Sequence, residues 1–275
     1  MTARYAIRLD IDTTVCARRL DEVLALGEGL GIRFTIFANM GRSVSLSAAI
    51  RRRLARSCAT EHLTAMPAKL SIRSKIGWLG VLESVFLNPE LHRLSGLALQ
   101  RALRCGHEVG LHGGLNHSLW HFSAPTMSAD EMRGFLMPAV DRYRQLLGGE
   151  DAFGFSSPGF SVSETAYALL ADAGCGYLSD FIDPQGAIVR RECGLPDIPV
   201  TLSAANTVDF LESYVASGEC CSMERAIEQS IGASGFGVYY SHPCFIAGKG
   251  RQAFISFIQA LKEQASIVTM RELLS

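Results

Sequence analysis

Two aspartates, Asp10 and Asp12, close the segment Tyr5-Ala-Ile-Arg-Leu-Asp-Ile-Asp12. In an extended strand residues i and i+2 share a face, so both carboxylates project together. Like charges this close are costly unless a cation or a proton lies between them, an arrangement in which one carboxylate holds metal and the other takes a proton. The same spacing equally allows Asp10 to pair with Arg8 and Asp12 to cap the next turn. A second cluster is Gly106-His-Glu-Val-Gly-Leu-His-Gly-Gly-Leu-Asn-His117. Val109 and Leu111 share one face and put His112 on the other, and Gly113-Gly114 permit a tight bend that returns His117 toward it. Two imidazoles and one carboxylate with open positions suit Zn²⁺ or another divalent first-row metal such as Mn, Co or Ni. A third candidate, His242, stands between Ser241 and Pro243 at a strand end, where it could act as an acid. His62, His92, His107 and His121 read as surface or core residues.

These groups need elements to carry them. Tyr5, Ile7, Leu9 and Ile11 alternate with Ala6, Arg8, Asp10 and Asp12, the period of a strand with one apolar face. Asp21 to Gly31 follows with helical spacing, then a strand at Arg33 to Ala38, which makes a β-α-β unit. Further strands are expected at 107–112, 153–156, 176–180, 198–202, 236–242 and 267–269, with helices at 164–173 and 252–264. This alternation predicts an α/β fold, a distorted parallel (β/α) barrel of about seven strands. The chemistry then belongs at the carboxyl ends of the strands. The stretch 43–104 is long for one connection. It carries Arg51-Arg52-Arg53, Arg56 and the apolar run from Ile76 to Leu82, and reads as an elaboration within a single domain over residues 1–275.

Composition narrows the function. The chain has 275 residues, 48% of them apolar, enough for a sizeable core. Its formal charge of -1 lacks the global basic field of non-specific nucleic-acid binding. No run of 18 apolar residues and no amino-terminal export signal is visible, so a cytoplasmic location is expected, with a peripheral place on the inner membrane face as the variant. The eight cysteines form no CxxC pair and read as free thiols.

In order along the chain, Asp10 and Asp12, His112 to His117, Phe155-Ser-Ser-Pro-Gly-Phe160 and Ser241-His242-Pro243 resemble the motifs of the polysaccharide deacetylase superfamily, NodB-like, carbohydrate esterase family 4 (CE4). Asn39-Met-Gly-Arg42, Ile76-Gly-Trp78, Ile198-Pro-Val-Thr-Leu202 and Met270-Arg-Glu-Leu-Leu274 are most similar to its deformylase branch, which acts on 4-deoxy-4-formamido-L-arabinose carried on phosphoundecaprenol. The resemblance implies a metal held by Asp12, His112 and either His117 or Asn116. It also implies Asp10 as base, His242 as acid, and a backbone N–H near Ser157 to Gly159 for the oxyanion. In the general family the second histidine falls at the position of Asn116, and an arginine orienting the aspartate falls at that of Ser156. The activity implied is hydrolytic removal of an N-formyl or N-acetyl group from an amino sugar, with a polyprenyl phosphate as the expected carrier. Arg51, Arg52, Arg53 and Trp78 would then meet phosphate or lipid. The rival readings are a deacetylase of a soluble sugar or other amide and a barrel that binds a glycolipid without hydrolysing it.

Overall fold

The computed structural model describes residues 3–44, 70, 72–149, 152–204, 207–217 and 222–275. One mostly parallel sheet of nine strands organises them, in the order β6-β7-β5-β4-β3-β2-β1-β8, with β9 pairing β1. The strands are β1 (Ala3–Ile11), β2 (Thr35–Ala38), β3 (Glu108–His112), β4 (Phe153–Ser156), β5 (Cys175–Leu178), β6 (Val189–Arg190), β7 (Pro196–Asp197), β8 (Phe236–Ser241) and β9 (Ala265–Val268). Nine strands replace the expected seven because β6 and β7 are two-residue pieces, antiparallel to each other and too short for a period to register. The expected strand 198–202 is instead a bridging segment. There Ile198 N–H donates to Leu178 O at 2.8 Å, while Thr201 and Leu202 N–H both donate to Val238 O at 3.0 Å. That segment draws the free edge of β8 toward β5 and curls the sheet into a half-barrel.

β1 is the central strand. Its register sets Leu9 beside Ser241 on β8 and Asp10 beside Phe37 on β2, while β9 fills the flank of Ala3 to Ala6 before β2 begins. Its two faces lie in different environments. Tyr5, Ile7, Leu9 and Ile11 face the helices and join the large core with Leu20, Val23, Phe254 and Phe257. Ala6 faces the interior with Phe37, Tyr177, Val200, Val238 and Tyr240. Each such aliphatic side chain, once fully buried, contributes ~1.5–3 kcal/mol against exposure. Above Ala6 on the inner face come Arg8, Asp10 and Asp12, so the polar half of the period-two pattern lines the mouth of the half-barrel.

Helix α1 (Thr14–Leu30) begins two residues after Asp12, seven earlier than its apolar spacing indicated, because Thr13 caps it through a 3.2 Å bond from Cys16 N–H to its Oγ1. Of the long segment after β2, the described part holds the helices Ile72–Leu82 and Leu91–Arg104. Arg51, Arg52, Arg53 and Arg56 lie outside the described residues.

Candidate active site

Asp12 is the hub. Its Oδ1 lies 3.1 Å from His112 Nε2 and 3.4 Å from His117 Nε2, and its Oδ2 lies 3.0 Å from His242 Nε2. One carboxylate at the end of β1 thus faces imidazoles delivered by the end of β3, the start of the helix His117–Ser123 and the end of β8. The bend between the first two histidines depends on Gly113, whose φ is +65° and where a Cβ would stand 2.7 Å from Pro158 Cδ. His112 is buried, and its Nδ1 contacts Ser156 Oγ at 2.7 Å, which orients the ring and leaves Nε2 toward Asp12.

Asn116 does something else. Its side-chain oxygen accepts from Leu119 N–H at 3.0 Å as the helix cap, and its amide nitrogen donates to Val44 O at 2.9 Å. With both ends of that carboxamide engaged, the structure brings His117 to Asp12 and leaves Asn116 as the cap. The one-residue displacement from the spacing that the resemblance implied is absorbed by the helix start, where the first residue inside the cap points its imidazole back at the strand.

The donor set fits a divalent cation. Single ligand atoms of Asp12, His112 and His117 all lie within 4.8 Å of one another. Asp12 Oδ1 is buried and makes no hydrogen bond of acceptable geometry despite the two nearby nitrogens. Lone pairs that converge without bonding one another are the arrangement a cation completes, and one carboxylate with two imidazoles suits zinc or its first-row neighbours.

The charges are strongly coupled. Burial works against the ionised form of Asp12, but the charges of His117 and His242 and the contacts from His112 and His117 outweigh it and hold the carboxyl well below its usual range. Burial likewise disfavours charged His242, yet Asp12 raises that imidazole to about 9. His242 Nδ1 is buried without a hydrogen-bond partner. Behind the pair, the Cys16 thiol is raised by burial but lowered more by Cys244 and His242, to about 6.

Asp10 sits one step down the strand, buried, with both oxygens taken by Arg8: Nε to Oδ1 at 2.8 Å and Nη2 to Oδ2 at 2.7 Å. The pairing weighed from the sequence therefore forms, and it does so inside the site. In the loop after β4, Ser157 N–H donates to Asp180 Oδ1 at 2.5 Å, so this one of the expected oxyanion donors is already engaged. Gly159, at φ +64°, packs so closely on His121 that a Cβ would stand 1.9 Å from its Nδ1. His107 is structural: its Nδ1 accepts Phe34 N–H at 2.9 Å.

Asp180 was not singled out by the sequence, although it ends the expected strand 176–180. Burial, then the charge of Asp197, raises its carboxyl to about 7. The folded chain holds this proton more tightly than the unfolded one, so the stability it contributes is complete below the ordinary carboxylate pKa and is lost as pH rises toward 7. Asp180→Asn keeps the acceptor for Ser157 N–H and removes the charge. It is expected to flatten the stability profile between pH 4 and 7 and to gain about 1–3 kcal/mol over wild type at pH 8, read from denaturant midpoints at pH 5 and 8.

Trp78 lies on an apolar surface of the inserted segment. Trp78 is 60% exposed, Leu79 82% and Phe86 77%, and Leu82 and Leu87 are exposed beside them. The segment leans on the first turns of α1: Ser84 Oγ is 3.3 Å from Thr14 Oγ1, and Glu83 pairs with Arg18 at 2.5 Å. Lys75 is anchored by the buried Glu212 at 2.7 Å. No helix among the described residues is long and apolar enough to cross a membrane.

No model of a known protein family matches the chain, and no curated protein matches it. Among solved structures, a candidate polysaccharide deacetylase from Mycobacterium smegmatis is similar with a TM-score of 0.59 at 15% identity, over 99% of this chain and 88% of that one. A CE4 family pseudoenzyme from Bacillus anthracis gives 0.53 at 12% identity, over 100% of this chain and 66% of that one. The chitin deacetylase of the fungal pathogen Colletotrichum lindemuthianum gives 0.51 at 12% identity, over 99% of this chain and 88% of that one. The solved structures it resembles are thus polysaccharide deacetylases of the CE4 type, and the fold of this chain is their NodB-like, mostly parallel β/α half-barrel.

Proposed function

We propose that this chain is a metal-dependent hydrolase that removes an N-formyl or N-acetyl group from an amino sugar, with a polyprenyl-phosphate-linked sugar as its substrate. The observation that carries the reading is the convergence of Asp12 Oδ1, His112 Nε2 and His117 Nε2, with Asp10 clamped by Arg8 one step away and His242 Nε2 against the other oxygen of Asp12. Asp12, His112 and His117 would hold the cation. When bound, it supplies Lewis acidity toward the amide carbonyl and lowers the pKa of water. Asp10, fixed by Arg8, accepts the proton of the attacking water. His242 carries its proton on the far side of Asp12 and delivers it to the departing amine, which cannot leave as an anion. Burial of Asp10 and of the Arg8 layer beneath it keeps bulk water away from the base.

The apolar side chains Trp78, Leu79, Leu82 and Phe86 support the lipid-linked substrate, since the segment that carries them leans on the first turns of α1, just beyond Asp12, and they present bulky surface to solvent. In this reading the chain works at the cytoplasmic face of a membrane. A single assay tests both levels. Release of free amine from N-formyl and N-acetyl amino sugars is measured with the sugar either water-soluble or prenyl-linked in liposomes, with and without chelator. Turnover of the liposomal substrate that chelation stops, and that Trp78→Glu lowers by about tenfold while sparing the soluble one, is expected. Equal loss on both substrates would remove the lipid contact, and absence of any metal-dependent amine release would overturn the hydrolase.

A further inference from the structure

Arg8 is the least expected group in the interior. It is 1% exposed, yet it carries a full charge in the middle of the half-barrel. Besides the two bonds to Asp10, its Nη1 donates to Ser179 O at 2.6 Å and to Ser179 Oγ at 3.0 Å. Three rings surround the guanidinium, with centroids at 5.1 Å for Phe37, 5.2 Å for Phe160 and 5.9 Å for Tyr240. A planar fork held by four hydrogen bonds and three aromatic faces has no freedom to swing. Buried ion pairs often add little net stability over apolar residues of like size, so an arginine in a core is poorly explained by stability alone.

Two further observations bear on its purpose. Ser156 stands where the family's motif begins with arginine, and its hydroxyl is engaged by His112 Nδ1 at 2.7 Å. No guanidinium reaches Asp10 from β4, therefore, and the side chain at that place orients an imidazole instead. Among the described residues, the guanidinium hydrogen-bonded to Asp10 comes from the same strand, two residues earlier. The distance between clamp and carboxylate is then set by the strand repeat rather than by the packing of two separate loops.

We infer that Arg8 is the positioning residue of Asp10, a strand-borne clamp that aims this carboxylate into the site and leaves Ser156 free to orient His112. The inference rests on the proposed hydrolase for its kinetic consequence, and on the geometry around Arg8 for its structural one. Arg8→Met is expected to lower kcat about 10²-fold with KM changed less than about threefold, because a displaced base impairs the chemical step more than binding. Arg8→Lys, which keeps the charge and loses the fork, is expected to fall between. In an Asp10→Asn background Arg8→Met should cost less than about threefold more, since the clamp then has no base to aim. Metal content stays at the wild-type level throughout. A merely structural arginine would instead give additive losses in the double variant. Crystal structures of Arg8→Met and Arg8→Lys separate this inference from the hydrolase reading. The clamp requires the Asp10 carboxylate to leave its present place in Arg8→Met whether or not the chain hydrolyses an amide, and an unmoved Asp10 overturns it. If Arg8→Met folds too poorly to purify, Arg8→Lys carries the same cycle and the same structural criterion.

Discussion

Asp12→Asn is expected to weaken binding of a divalent metal by at least about 10²-fold and to reduce amide hydrolysis by about 10³-fold or more. The expectation follows from the position of the carboxylate, which faces three imidazoles with two oxygens. Asparagine keeps the shape and one oxygen, but it removes the negative charge that offsets a cation in this buried place and the only anionic donor among the three candidate ligands. It also removes what chiefly holds His242 protonated, since without Asp12 burial and the charge of Lys75 lower the pKa of that ring against Cys16. Two losses therefore coincide in one substitution: the metal seat and the proton on the acid. Calorimetric titration with Zn²⁺, together with metal content of the purified protein, checks the first. An Asp12→Asn protein that retains wild-type metal content would show that the three converging atoms are not the seat.

Asp10→Asn separates the base from the seat. Its carboxylate touches Arg8 and is absent from the cluster of converging ligand atoms, so the variant should load metal as wild type does while losing about 10²–10⁴-fold in kcat, the usual range for a missing general base. The neutral amide can accept one bond from Arg8 but leaves part of the buried guanidinium without its counter-charge. A lower melting point is expected alongside, and it must be compared with the kinetic loss at a temperature where the variant is folded. Full turnover in folded Asp10→Asn would move the base to another group. The contrast between the two substitutions, one emptying the site and one stalling it, is also what distinguishes a hydrolase from a barrel that only binds sugar.

Much of this arrangement was legible in the sequence because it depends on short periods. Alternation along β1 put Arg8, Asp10 and Asp12 on one face, and the structure turns that face inward. The Gly113-Gly114 bend after His112 signalled that His117 could return. What stayed hidden depended on competition between local and distant partners. The sequence offers Asn116 and His117 as equal neighbours, and only the cap bond to Leu119 N–H decides which of them is spent on the helix. Arg8 was visible as a partner of Asp10, but not as a clamp, because Ser179 and the rings of Phe37, Phe160 and Tyr240 arrive from other parts of the chain. The start of α1 was placed late because Thr-Thr-Val is a weak helix-forming run, and its packing outweighs that propensity. β6 and β7 were too short to show a period at all.

The cap of α1 gives the site a mechanical property of its own. Asp12 occupies the single-residue joint between a fully bonded strand and Thr13, whose hydroxyl starts the helix. Its backbone is thereby clasped from both sides, like a hinge pin between two rigid leaves. Loosening the first turn of α1 would shift the carboxylate by the same motion, which makes Thr13 part of the site's alignment although it carries no chemistry.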